Sequence, residues 1–196
     1  MAATHPEWAV GFADEVWWSR VAQPAVRAWA PGAGPVRLVA QAVARGEPKA
    51  LACYGLLVRR PAAAEETWLR FVEGRPLSGA TTQFLAWCCA RLAAAGAAAL
   101  LLVWDNASWH ASREVARWIA DHNRAVKAGE RAVRIVACPL PTKSPWLTPI
   151  EPKWTHGKRR VVEPARLLTA AELEDRVYAA LGADHADHLT MPQDAA

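Results

Sequence analysis

The run from Ala97 to Asp105, AAALLLVWD, limits the fold more than any other part of the chain. It has strand length, it is apolar without interruption, and it ends in an acid. A strand with apolar side chains on both faces belongs in the interior of a sheet covered on both sides. The flanking patterns supply that cover. Ser78–Ala95 carries Phe84, Cys88 and Leu92 on one helical stripe, with Leu85 and Cys89 beside it and Gly96 as a stop signal. Ser112 is a candidate N-cap for a second helix reaching about Ala128, with Val115, Ile119, His122 and Val126 on its buried face. Gly129 ends that helix, and Val133–Cys138 reads as another short strand.

The N-terminal part reads as strands. Trp8–Trp18 is expected to be one, with Asp14 at or near its end and Glu15 on the opposite face, because side chains alternate along a strand. Ala30–Pro35 is a turn, and Val36–Val43, Ala50–Val58 and Thr67–Val72 follow as strands. The connection from Arg59 to Glu66 makes the last two antiparallel. Near the C-terminus, Thr169 and Glu172 form a capping box ahead of Leu173, Val177 and Leu181. The expected fold is therefore α/β, a mixed sheet with helices on both faces. One domain should span 8–181, with a disordered start at 1–7 and a loose tail at 182–196.

With 196 residues the chain suits a single domain. It has no run of about 18 uncharged apolar residues and no leader-like start, so no membrane partner is expected and the location should be cytoplasmic. Cys53, Cys88, Cys89 and Cys138 lack metal-ligand or disulfide spacing and read as buried thiols. From Lys143 to Arg166, the cations Lys143, Lys153, Lys158, Arg159, Arg160 and Arg166 face only Glu151 and Glu163, an excess equal to the whole chain's formal +4. A cationic concentration of this kind points to a polyanionic partner.

That excess surrounds the stretch from Cys138 to Arg160, CPLPTKSPWLTPIEPKWTHGKRR. Pro139, Pro141, Pro145 and Pro149 rule out a regular helix or central strand and dictate an extended loop. Pro152 suits the first turn of a helix, which puts Glu151 at the helix N-terminus, where a carboxylate is favoured. Three acids thus stand at element ends: Asp14, Asp105 and Glu151. Strand ends of α/β sheets are where ligands bind. Three carboxylates brought together would suit Mg2+ or Mn2+, two ions of which could serve a phosphodiester reaction. Ser108 and His110 lack the elbow of a serine hydrolase. Asp184, His185, Asp187 and His188 read as an incidental polar terminus. Of the 11 tryptophans, Trp17, Trp18, Trp104, Trp109, Trp146 and Trp154 lie near the acids in sequence; core packing is the common fate of such residues, and base stacking the rarer one.

FADE around Asp14, LLLVWDNASWH around Asp105 and SPWLTPIEPKW around Glu151 resemble the three catalytic blocks of the DDE-type transposases, in particular the bacterial insertion-sequence relatives of mariner. The resemblance spans about Trp8 to Arg160. It implies a ribonuclease-H-like fold, a metal-binding catalytic triad of Asp14, Asp105 and Glu151, and double-stranded DNA as partner, namely element terminal repeats and target. Lys143, Lys153, His156, Lys158, Arg159 and Arg160 are the expected phosphate contacts, and Asn106 and His110 the accessory residues, contacting DNA, orienting a water or bonding the loop. Family members carry helix-turn-helix modules ahead of the first aspartate, whereas thirteen residues precede Asp14 here. The expectation is a catalytic part with a separate or frameshift-joined recognition part. A homodimer follows by family analogy. The alternative is a catalytically silent, truncated fragment that binds DNA or a transposase.

Overall fold

The computed structural model describes residues 5–21, 43–61, 63–141, 144, 147–161, 163 and 166–190. The expected turn at Ala30–Pro35 and most of the strand expected at Val36–Val43 lie outside these residues, as do Lys143 and Trp146. Nine elements follow one another: β1 (Trp8–Ser19), β2 (Ala50–Arg59), β3 (Glu66–Val72), α1 (Ser78–Ala94), β4 (Ala99–Trp104), α2 (Arg113–Lys127), β5 (Arg134–Pro139), α3 (Glu151–Val161) and α4 (Ala170–Leu181). The five strands form one mixed sheet in the order β3-β2-β1-β4-β5. The β1–β2 and β2–β3 pairs are antiparallel, and the β1–β4 and β4–β5 pairs are parallel.

Both faces of the sheet are covered, as the β4 sequence demands. Ala9 and Ala13 of β1, Leu100, Leu102 and Trp104 of β4, and Phe84, Cys88 and Leu92 of α1 share one core, completed by Val115 of α2. Val16 and Trp18 of β1 face the other way, into a core with Ile150, Trp154 and Val161 and with Leu173 and Val177 of α4. Local signals place the helix starts. The Ser112 hydroxyl accepts the Val115 N–H at 3.2 Å, and the Thr169–Glu172 capping box is present with both of its hydrogen bonds. All four cysteines are free thiols, three of them buried. No helix among the described residues is long and apolar enough to cross a membrane.

Two expectations change. β1 has nearly the expected extent, but Asp14 lies inside it and not at its end, because β2 supplies an antiparallel ladder along its whole second half, from Asp14↔Gly55 to Ser19↔Ala50. What stops nearby is the parallel ladder to β4, whose last pair is Phe12↔Val103. The ends are also less loose than expected. The Glu7 carbonyl accepts the Ala98 N–H at 2.8 Å. The segment around Leu189, far from hanging free, lies on β3: Leu189 is fully buried and bridges Val72, with its N–H on the Phe71 carbonyl at 2.7 Å. The Arg70 guanidinium donates to the Asp187 and His188 carbonyls at 2.7 and 3.1 Å, and a buried apolar residue plus satisfied backbone groups hold the segment down.

Candidate active site

Asp14 and Asp105 sit two residues beyond the last β1–β4 pair on their respective chains. The two acids therefore stand just past the point where that ladder ends. Alternation turns Asp14 away from the α1/α2 core, since Ala13 points into it, whereas Asp105 follows the last residue of β4 and lines a pocket with Ala116 and Ile119 of α2. Asp14 lies on the face that α3 covers, where it meets Trp154.

Glu151 is brought there by the seating of α3. The N–H groups of Lys153 and Trp154 go to the Ile150 carbonyl at 2.9 and 3.3 Å, which starts the helix where Pro152 allows it. Ile150 is fully buried and Trp154 is nearly so. The Trp154 indole lies over β2 at Gly55, the residue paired with Asp14. A Cβ added to Gly55 would stand 2.2 Å from Trp154 Cη2 and 2.7 Å from Cζ2, so only glycine leaves the slot open. From that slot Trp154 Nε1 donates to Asp14 Oδ2 at 2.8 Å. Further along, a Cβ on Gly157 would meet Trp18 Cη2 at 2.8 Å, so α3 approaches β1 closely there as well. Trp18 and Trp154 meet edge to face, their ring centroids 6.2 Å apart.

The two aspartates have opposite electrostatics. Burial pushes the Asp14 carboxyl up to about 7, and the charges of Glu15 and Glu151 push the same way against the Trp154 hydrogen bond. Glu151 thus lies within electrostatic reach of Asp14. Asp105 is held below the usual carboxylate range, chiefly by its hydrogen bond from His110. His110 Nδ1 lies 2.8 Å from Asp105 Oδ1, and its Nε2 lies 2.6 Å from Glu15 Oε1. The ring is stacked on Trp104 at 4.6 Å with an interplanar angle of 12°. Burial alone would lower the pKa of this imidazole. The two carboxylates outweigh it and lift the value to about 9, so the ring is a cation donating from both nitrogens. The Ala107 N–H also donates to Asp105 Oδ1, at 2.9 Å, which leaves Oδ2 as the oxygen available to a ligand.

Glu151 lies within electrostatic reach of Asp14, but the three acids are not gathered into one ligand set. Among the described residues no group of three or more His, Cys, Asp or Glu side chains is placed to hold a metal ion. Asp14 is turned to Trp154, and one oxygen of Asp105 is committed to His110 and Ala107. The donor chemistry nevertheless fits Mg2+ or Mn2+, because every candidate donor is a carboxylate oxygen and Asp14 carries a burden of burial and like charge that a cation would relieve.

The expected DNA contacts fall into two groups. His156, Lys158 and Arg159 are exposed on α3 and have no partner among the described residues. Lys153 is instead paired with Glu65 at 2.9 Å, and Arg160 donates to the Ala180 carbonyl at 3.2 Å. Asn106 is exposed, its side-chain amide donating to the Leu140 carbonyl across the mouth of the site. His110, by contrast, is buried, its side chain 2% exposed, and its nitrogens face protein carboxylates rather than solvent. Sequence reasoning overlooked Gly55. The signal was present, since a glycine inside the strong strand ALACYGLLV marks a close approach by another part of the chain.

A family model described as DDE superfamily endonuclease matches residues 65–174, which include Asp105 and Glu151. The chain belongs to this family. Among solved structures it is similar to the Mos1 strand transfer complex, with a TM-score of 0.58 at 13% identity over 92% of this chain and 48% of that one. The Mos1 transposase paired-end complex with left transposon end matches with a TM-score of 0.62 at 14% identity, over 90% and 48%. The Mos1 mariner paired end complex with Mn matches at 0.59 with 14% identity over the same shares. At such identities the likeness establishes the fold, the expected ribonuclease-H-like mixed sheet. The chain spans about half the length of these matched chains. No curated protein matches it at a significant level.

Proposed function

We propose that the chain is the catalytic part of a transposase of the insertion-sequence type, which nicks DNA at element ends and joins the freed 3′-OH to target DNA. The observation that supports this reading is that the β1–β4 ladder ends two residues short of both Asp14 and Asp105, while Glu151 at the start of α3 lies within electrostatic reach of Asp14. Bound Mg2+ or Mn2+ would activate the attacking oxygen and stabilise the leaving one, and Asp14, Asp105 and Glu151 would hold it. The structures that resemble this chain include Mos1 paired-end complexes named with Mn and with Mg.

The rest is the work of this chain's own groups. Trp154 holds the Asp14 carboxyl from one side, and His110 fixes one oxygen of Asp105 while leaving the other forward. The exposed Lys158 and Arg159 on α3 offer positive charge, and His156 a further hydrogen-bonding group, with which they would hold phosphates of a duplex without reading its sequence. Terminal-repeat recognition would come from a helix-turn-helix part joined to or acting with this chain, and two copies would pair two element ends. A second reading, a silent module that binds DNA or a transposase, draws on the ungathered state of the three acids.

The two readings separate in one experiment. The chain, supplied with the recognition part and a duplex bearing the terminal repeats, is expected to nick and join DNA with Mg2+ or Mn2+. Asp105→Ala is expected to abolish both steps while leaving duplex binding in place. Cleavage unchanged by that substitution would overturn the catalytic reading, and binding without cleavage in the unaltered chain would favour the silent module.

A further inference from the structure

The backbone ladder that fixes the spacing of β1 and β4 ends at Phe12↔Val103, before it reaches Asp14 and Asp105. A side-chain bridge takes over beyond that point. Glu15, next to Asp14 on β1, accepts from His110 Nε2 at 2.6 Å, and Asp105, at the end of β4, accepts from His110 Nδ1 at 2.8 Å. The imidazole cannot tilt away, because it is stacked on Trp104 and bounded by the edge of Trp109 at 6.1 Å and 74°. Glu15 is nearly as enclosed, its side chain 7% exposed, and its backbone is paired with Tyr54 of β2.

From this geometry we infer that Glu15 and His110 are positioning residues, which set the carboxylate of Asp105 at a fixed distance and angle from Asp14 so that the pair can receive a divalent cation. The inference rests on the metal-dependent reading above. Neither residue touches the cation. Glu15 anchors the ring to the strand that carries Asp14, and the ring holds Asp105 Oδ1, so Oδ2 is presented in one orientation. Without the bridge, Asp105, past the end of β4 on a side chain 44% exposed, would keep only the Ala107 N–H on Oδ1. Outer partners of this kind typically set metal affinity by a factor of about 10 to 100.

The test is Mn2+ binding to the full chain, read from the loss of the free-ion electron paramagnetic resonance signal, with folding followed by circular dichroism. Glu15→Ala removes the anchor and is expected to weaken Mn2+ binding about tenfold or more. Glu15→Gln keeps an acceptor oxygen and is expected to restore most of the affinity, whereas a purely structural role would move the melting temperature and not the affinity of the folded chain. His110→Ala should weaken binding at least as much; if it fails to fold, the Glu15 pair decides alone. Unaltered affinity in folded Glu15→Ala, or equal losses in Glu15→Ala and Glu15→Gln, overturns the positioning role. Asp105→Asn separates the two levels. If Asp105→Asn loses binding while Glu15→Ala does not, only the bridge fails; if the unaltered chain takes up no Mn2+, the metal reading fails and the bridge with it.

Discussion

The corners around Asp14 within β1 and around Asp105 just past β4 are built by contrary means. Asp14 is enclosed by packing. Trp154 fills the slot that Gly55 leaves, the carboxyl receives one neutral donor, and burial with acidic neighbours drives it towards the protonated form. Asp105 is half exposed and held by charge: an imidazolium, itself clamped by Glu15, keeps it ionised. A cation arriving at the pair would thus meet one acid already committed to its charge and another that gains its charge by binding. Such a division lets a site stay empty at modest cost and still bind strongly, because the relief at Asp14 is realised only on loading.

Taking away the packing of the first corner should have the largest effect. Trp154→Ala is expected to destabilise the fold by about 3–5 kcal/mol in urea titration, since a large buried aromatic is lost together with the seat of α3. Gly55→Ala, which forces the indole out of its slot, should cost about 1–3 kcal/mol and lower activity with it. A cost below about 1 kcal/mol for Trp154→Ala would mean that α3 is seated by other contacts.

The next test reads the electrostatic contrast directly. The folded-state value of Asp14 lies above its ordinary 3.8, at about 7, so the native chain binds that proton more tightly than the unfolded one. Its contribution is therefore most favourable below about 4 and is lost as pH rises to about 7. Asp14→Asn keeps the acceptor for Trp154 and removes the burden, so at pH 8 without divalent ions it should stabilise the chain, on the order of 3 kcal/mol. Asp105→Asn should do the reverse at the same pH, because the depressed folded-state value of Asp105 makes its carboxylate stabilising until pH falls through that value. Shifts of the same sign in the two melting temperatures would dissolve the contrast. The smallest effect is expected on α3: replacing Lys158 or Arg159 by Ala should reduce the slope of log affinity for duplex DNA against log salt by about 1 each, with no change in sequence preference.

Elements whose signals are local were legible in the sequence. β4 announced itself because AAALLLVWD leaves no polar face, and α2 and α4 because Ser112 and Thr169 are capping residues whose bonds close within a turn. Asp105 and Glu151 followed from the ends of such elements. Features set by partners distant in the chain were not legible. That Asp14 lies within β1 and not at its end reflects the β2 ladder beside it. The commitment of Lys153 to Glu65, and of His110 to Glu15, depends on residues far away in sequence. Alternation along β1 did separate Asp14 from Glu15 by face, but it gave no hint of what each would meet.

The strip of chain laid over β3 has a consequence for how the molecule behaves among its own kind. A sheet with a bare margin offers its unpaired amides to any passing strand, the first step of the stacking that leads to precipitates. Leu189 occupies part of that margin at Phe71–Glu73, with Gln83 gripping the Thr190 carbonyl just beyond. The last described turn of polypeptide thus acts as a selvedge: cut away, it would leave the acids untouched and yet give a protein that clings to its neighbours.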